Sequence, residues 1–193
     1  MRYLFKILIL LIPISGFAQQ RITSFEQQTY DKAIAIYHSV DYLELNDGLN
    51  STNSDVKDYI YKVKQKVYTK TLNLFDELLD TLPNTKLLNR INYTRANIFN
   101  DEGEKDLAIM FYKKVVENPE FIYLESENED NYFRRQIRIC LALIYIDKKE
   151  YLEAEKQIEL AKSYKVQYTC GNSSIESNEE LTVLLKKCEE GKK

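Results

Sequence analysis

The feature that most constrains this chain is one helical pattern of residues that occurs twice at the same phase. The first copy consists of Ala96, Phe99, Gly103, Ala108, Tyr112 and Val115. The second consists of Ala142, Tyr145, Lys149, Ala154, Ile158 and Ala161. The backbones of two packed helices can approach each other closely only where the residues at the contact are small. The pattern therefore predicts repeated helical hairpins, which stack into binding surfaces rather than active-site clefts.

The first 18 residues have the composition of a secretory signal peptide. Arg2 and Lys6 give a positive start, residues 7–14 are an apolar run, and Gly16 and Ala18 are small residues before a cleavage site. The run is too short to be a stable membrane anchor, although an uncleaved anchor is the alternative. We expect residues 19–193 to form one domain, periplasmic or secreted, with no membrane span after cleavage.

The charge balance of the expected mature chain argues against nucleic acid as a partner. Removal of Arg2 and Lys6 leaves 25 basic and 30 acidic residues, a net charge of −5. Binding to phosphates requires a basic face instead. Five glycines and three prolines are few, as expected of a nearly all-helical chain.

Apolar spacing and capping residues predict the other elements. Helices are expected over residues 23–45, 55–82, 85–100, 104–117, 131–146, 150–164 and 177–189, and loops over 46–54, 120–130 and 166–176. Asp101 with Glu104 and Asp147 with Glu150 each have capping-box spacing before the second helix of a hairpin. The fold class is therefore all-α, a short solenoid of stacked antiparallel hairpins with a C-terminal capping helix.

The two copies resemble the tetratricopeptide repeat, a unit of two helices. Residues 89–124 match its pattern of small and aromatic residues, its turn glycine at Gly103 and its closing proline at Pro119. Residues 135–168 match less fully, because Lys149 replaces the glycine, and Ile158 and Val166 replace the aromatic residue and the proline. The resemblance implies that the first helix of each unit lines a concave groove for a peptide or partner protein.

Carried over by position, the resemblance assigns eight residues to this groove. They are Arg90, Tyr93, Asn97, Asn100, Gln136, Ile139, Leu143 and Ile146. Relatives that clamp a C-terminal carboxylate use Lys and Asn there; Asn97 fits, but Tyr93 stands where the lysine is needed. The groove is polar at one end and apolar at the other, which suits an amphipathic partner segment. The alternative is that the apolar end is covered by the chain itself, for example by residues 119–130.

The charged residues at 125–138 and the cysteines at 170 and 188 each have two possible interpretations. The acids at residues 125–130 and the arginines at 134, 135 and 138 form either a charged docking surface or a solvated helix start, of which the second is the stronger interpretation. Export places Cys170 and Cys188 in an oxidising compartment, where a disulfide between them would fasten the last helix to the body; two free thiols are the alternative. Cys140 is expected to be a small buried side chain.

Motifs for catalysis are lacking in the sequence. It contains no His-Glu-x-x-His, Cys-x-x-Cys, Gly-rich phosphate loop or Gly-x-Ser-x-Gly, and its single histidine is His38. We therefore expect no enzymatic activity, no metal and no cofactor. The leading hypothesis is an exported protein-interaction module; the alternative is an immunity-type protein or inhibitor that neutralises a secreted enzyme or toxin.

Overall fold

The computed structural model describes residues 24–43, 54–120, 126–167 and 171–192. These residues form seven helices and no strand: α1 (Ser24–Leu43), α2 (Ser54–Thr81), α3 (Leu88–Asp101), α4 (Lys105–Glu117), α5 (Glu127–Asp147), α6 (Tyr151–Ser163) and α7 (Gly171–Gly191). The prediction of an all-α fold is confirmed. The predicted signal peptide at residues 1–18 and the thiol of Cys170 lie outside the described residues.

The helices pack as three consecutive pairs, α1 with α2, α3 with α4 and α5 with α6. In the first pair Tyr30 stacks on Phe75 and Tyr37 on Tyr68, so residue numbers rise along α1 while they fall along α2 and the two helices are antiparallel. Helix α7 packs against α6 and α5 at the end of the stack. The arrangement is that of a helical-repeat solenoid with a C-terminal capping helix. In the described part of the chain no helix is long and apolar enough to cross a membrane.

The small residues of the duplicated pattern lie at the contact between paired helices. Five alanines of this pattern are completely buried: Ala96, Ala108, Ala142, Ala154 and Ala161. Tyr112 and Tyr145 of the same pattern fill the space beside them and are buried as well. All seven belong to one hydrophobic cluster that also contains Leu181, Leu184 and Cys188 of α7. The last helix therefore packs an apolar stripe against this cluster, as a capping helix would.

The turns of the second and third hairpins have the same backbone geometry. Gly103 and Lys149 both have positive φ, 82° and 61° respectively. The amide of the following residue then donates back to the first helix, from Glu104 to the carbonyl of Phe99 and from Glu150 to that of Tyr145, both at 2.8 Å. A left-handed residue here ends the first helix by satisfying its last carbonyls. The structure thus repeats a turn whose sequence is not repeated.

The predicted capping boxes at these turns are wrong. The residues that precede α4 and α6 are Glu104 and Glu150, and neither side chain caps its helix. The reason is that only three residues separate the paired helices and one of them is left-handed. Asp101 therefore ends α3 and bonds to α2 instead of opening α4.

The charged residues in the first turns of α5 form a helix start as expected, but Asp130, Arg134 and Arg135 are buried rather than solvated. Arg134 and Asp130 are 7% and 4% exposed and form an ion pair at 2.5 Å. The same guanidinium donates to the carbonyl oxygens of Val115, Val116 and Glu120 at 2.6–3.2 Å. Arg134 thereby satisfies carbonyls at the C-terminal end of α4 and joins the second hairpin to the third.

Two helices begin earlier than predicted. Helix α5 begins at Glu127 because the Ser126 side chain accepts a hydrogen bond from the Glu129 amide at 3.2 Å. Helix α7 begins at Gly171, within the predicted loop. The first of these differences follows from a capping serine that the periodicity of the apolar residues does not reveal.

Candidate functional site

A cavity of about 330 Å³ lies where α1, α2 and α3 meet, with one residue each from α4 and α5. Its lining is rich in hydroxyl, amide and carboxyl groups and is formed by Tyr37, Val40, Asp41, Tyr68, Asn97, Asn100, Asp101, Tyr112 and Cys140. Three of these residues lie on α3, the first helix of the second hairpin. The first helix of each hairpin, α1, α3 or α5, contributes at least one residue to the lining. The face of the stack formed by these three helices is therefore the candidate site.

Asn97 is the centre of the polar side chains in the cavity. The hydroxyl of Tyr112 donates to its Oδ1 atom at 2.6 Å. The pKa of Tyr37 is raised to about 12, chiefly by burial and by the nearby carboxylates, against the opposing effect of a hydrogen bond with Asn97. Burial also raises the pKa of the Tyr112 hydroxyl and of the Cys140 thiol, which are hydrogen-bonded to each other. At neutral pH these groups are protonated, so they act through hydrogen bonds.

Asp101 forms the acidic side of the cavity together with α2. Its carboxylate lies 2.6 Å from Lys64 Nζ and accepts a hydrogen bond from the Tyr68 hydroxyl. Burial opposes ionisation of Asp101, but these two hydrogen bonds and the charge of Lys64 bring its pKa below the usual value. Asp41, on α1, is exposed, and its Oδ2 atom lies 2.9 Å from Nδ1 of His38. Lys64 thus neutralises the carboxylate on the α3 side, and the negative charge of the site lies on its α1 side, at Asp41.

Aromatic rings continue from the cavity towards α5. Tyr93 lies 6.4 Å from Tyr112 and 6.3 Å from Phe133 between ring centroids, and Phe133 lies 5.8 Å from Tyr132. These separations are those of interacting aromatic pairs. Tyr132, at the end of this series, is exposed. The face thus offers large, rigid side chains with polar ends along two of its helices.

The polar and aromatic half of the predicted groove has five residues, which divide into two groups. Asn97 and Asn100 line the cavity, and Tyr93 contacts its wall through Tyr112. Arg90 and Gln136 are half-buried and do not line the cavity. The structure thus brings together three of the four predicted α3 residues, and Arg90 is the exception.

The apolar half of the predicted groove differs from the expectation. Ile139 is 3% exposed and belongs to the hydrophobic core, and Ile146 is half-buried against that core. Only Leu143, at 41% exposure, presents an apolar side chain at the surface. Because α5 packs against α4, α6 and α7 at once, more of its circumference is buried than in a helix with two neighbours. Ile139 is therefore a core residue rather than a contact for a partner.

Seven of the nine cavity residues were not among the predicted site residues: Tyr37, Val40, Asp41, Tyr68, Asp101, Tyr112 and Cys140. The hydroxyl group of Tyr37 is the signal in the sequence that could have marked it as a site residue. Cys140 was expected to be buried and apolar, whereas it is half-buried and lines the cavity. The missed residues are spread over five helices, so the spacing between helices in the sequence carries no sign of their proximity.

Two further predictions concern thiols and metals. Cys188 is buried and free in the structure, and its expected partner Cys170 lies outside the described residues, so the disulfide stays a prediction. Within residues 24–43, 54–120, 126–167 and 171–192, no three His, Cys, Asp or Glu side chains are grouped as metal ligands would be. The chemistry available at the described site is hydrogen bonding, aromatic contact and charge attraction.

No protein-family model matches this chain, and no curated protein or solved structure matches it either. The interpretation of the site therefore rests on the residues and their geometry.

Proposed function

We propose that this chain is an exported, tetratricopeptide-like interaction module that binds a segment of a partner protein along the face formed by α1, α3 and α5. The observation that carries the proposal is the cavity that opens between these helices, lined by tyrosine hydroxyls and asparagine amides. Side chains of this kind provide contact area together with a hydrogen bond, and tyrosine is enriched at protein interfaces.

The properties of these groups favour binding over catalysis. Burial holds the Tyr37, Tyr112 and Cys140 groups in their protonated forms at neutral pH. A nucleophile would need a depressed pKa or an adjacent base instead. The export part of the proposal rests on the composition of residues 1–18, and it places the partner in the periplasm or outside the cell.

A matched pair of leucine substitutions tests the location of the binding face. Leu143 lies on α5 three residues after Cys140, so both lie on one side of that helix. Leu152 lies on α6 and is also exposed, at 75%. Leu143→Asp should reduce capture of a specific partner, whereas Leu152→Asp should leave it unchanged. Capture is measured by quantitative mass spectrometry after pull-down from extracellular and periplasmic extracts of the source cells.

A second pair of variants makes the test independent of charge. Tyr132→Ala removes an exposed ring at the end of the aromatic series, and Tyr61→Ala removes an exposed ring from α2. We expect only the first to weaken capture. If every variant captures the same proteins as the wild type, the face is not the binding surface. If the captured protein is an enzyme or toxin that loses activity on binding, the chain is an inhibitor that uses this face.

A further inference from the structure

The cavity combines two carboxylates with aromatic walls. Asp41 and Asp101 lie on its α1 and α3 sides, and the rings of Tyr37, Tyr68 and Tyr112 form the walls between them. No lysine or arginine lines it, but Lys64 and Lys105 lie beside it, paired with Asp101 and hydrogen-bonded to Asn100 respectively. Carboxylates and the faces of tyrosine rings both attract cations, and more strongly where water is partly excluded. The amide oxygen of Asn97 adds a neutral hydrogen-bond acceptor.

The chain itself shows how a cation sits at this place. Lys64 extends from α2 so that its Nζ atom lies 2.6 Å from the Asp101 carboxylate and 5.7 Å from the centroid of the Tyr68 ring. Its side chain is only 17% exposed. Lys64 neutralises one of the two carboxylates. Asp41 remains open to solvent, with 61% of its side chain exposed, so the site keeps a negative charge.

We propose that this cavity binds a cationic side chain, lysine or arginine, of the partner segment. The inference rests on the proposed function and names the chemistry that the binding face selects. The guanidinium or ammonium group pairs with Asp41, lies against the tyrosine rings and competes with Lys64 for Asp101. A C-terminal carboxylate is disfavoured here, because it would meet the like charge of Asp41 and Tyr93 stands where a clamp would need a lysine.

The first measurement uses single-residue probes and a labelled chain. N-acetyl-arginine methylamide is titrated into the isotope-labelled protein, and amide resonances are followed by nuclear magnetic resonance. The matched probe is N-acetyl-citrulline methylamide, which has nearly the same shape and no charge. We expect saturable shifts at Asn97 and Asn100 with arginine, in the millimolar range, and none of comparable size with citrulline. High salt should weaken the binding.

Two charge-neutralising variants should then change the affinity in opposite directions. Asp41→Asn should weaken arginine binding by about threefold, the size expected for one partly exposed ion pair. Lys64→Gln should strengthen it by about threefold, because it releases Asp101 and the Tyr68 ring for the ligand. Asp80→Asn and Lys62→Gln make the same charge changes at exposed positions of α2 that do not line the cavity. Neither control should change the affinity.

The outcomes separate this inference from the proposed function. Equal shifts with arginine and citrulline, shifts spread over distant acidic residues, or weaker binding in Lys64→Gln would each overturn the cation site. Partner capture that depends on Leu143 would still support the binding face in those cases. Conversely, arginine binding with the predicted variant effects supports the cation site even where the pull-down identifies another surface as the main interface.

Discussion

The two hairpin turns allow a matched test of how the fold is stabilised. Gly103 and Lys149 occupy the same position of successive hairpins, and both adopt positive φ. Glycine adopts positive φ without a steric penalty, whereas a residue with a Cβ atom pays one. We therefore expect Lys149→Gly to stabilise the chain and Gly103→Ala to destabilise it.

The expected magnitude follows from two opposing contributions. A non-glycine residue in the left-handed region costs about 1–2 kcal/mol. Glycine loses about 0.4–1 kcal/mol more conformational entropy on folding. The free energy of unfolding should therefore rise by about 0.5–1 kcal/mol in Lys149→Gly and fall by a similar amount in Gly103→Ala. A Cβ atom added at Gly103 meets no other atom within 4 Å, so backbone strain alone determines the second change.

Urea denaturation followed by circular dichroism measures both changes. Lys149→Ala is the control, because it removes the side chain but keeps the Cβ atom and should leave the midpoint nearly unchanged. The slope of the transition should be the same in all variants, so that a shifted midpoint reports stability. If Lys149→Gly unfolds at the same or a lower urea concentration than Lys149→Ala, the left-handed turn is not a source of strain and the reasoning fails.

Three further predictions concern the core and the site. Arg134→Met deprives buried Asp130 of its guanidinium and should lower the free energy of unfolding by about 3–5 kcal/mol, measured with urea; a loss below about 1 kcal/mol would show that the ion pair behaves as an exposed one. The pKa of Tyr37 is about 12 in the folded chain and 10.0 ordinarily, so the folded state keeps a proton that the unfolded state loses between these pH values. Stability should therefore be unaffected below pH 10 and fall as pH rises towards 12, and Tyr37→Phe should remove about 2 kcal/mol of that loss in denaturation curves recorded across this range. Ile139→Asp should unfold the chain because it buries a charge in the core, whereas Leu143→Asp should change stability by less than about 1 kcal/mol; similar thermal melts for the two variants would contradict their assignment to core and surface.

The repeated hairpins were predictable because helix pairing leaves a periodic record in the sequence. Ala96 and Ala142 mark the positions where backbones approach, and each is followed three residues later by an aromatic side chain in contact with the same core. The last helix was predictable for the same reason, from the spacing of Leu181, Leu184 and Cys188. A helix face buried against one neighbour repeats every three to four residues, and the sequence shows that period directly.

The helix ends were less predictable than the helices. Asp101 and Asp147 have the spacing of capping residues, but the left-handed turn between the helices puts Glu104 and Glu150 directly before α4 and α6, where neither side chain caps the helix. Arg134 was expected in a solvated segment, yet it lies buried against carbonyl groups of α4. In each case the contact that decides the outcome comes from a neighbouring helix or turn, which the local sequence pattern does not contain.

The sequence by itself determined the number of paired helices, their approach through alanine and the face on which α3 contributes Asn97 and Asn100. Only the tertiary structure decided that Tyr37, Tyr68, Tyr112 and Cys140 meet around Asn97, and that Ile139 is in the core. The physical reason is the range of the interactions involved. Burial against an adjacent helix repeats along the chain. The cavity instead forms from residues of five helices, and their proximity depends on how the hairpins stack.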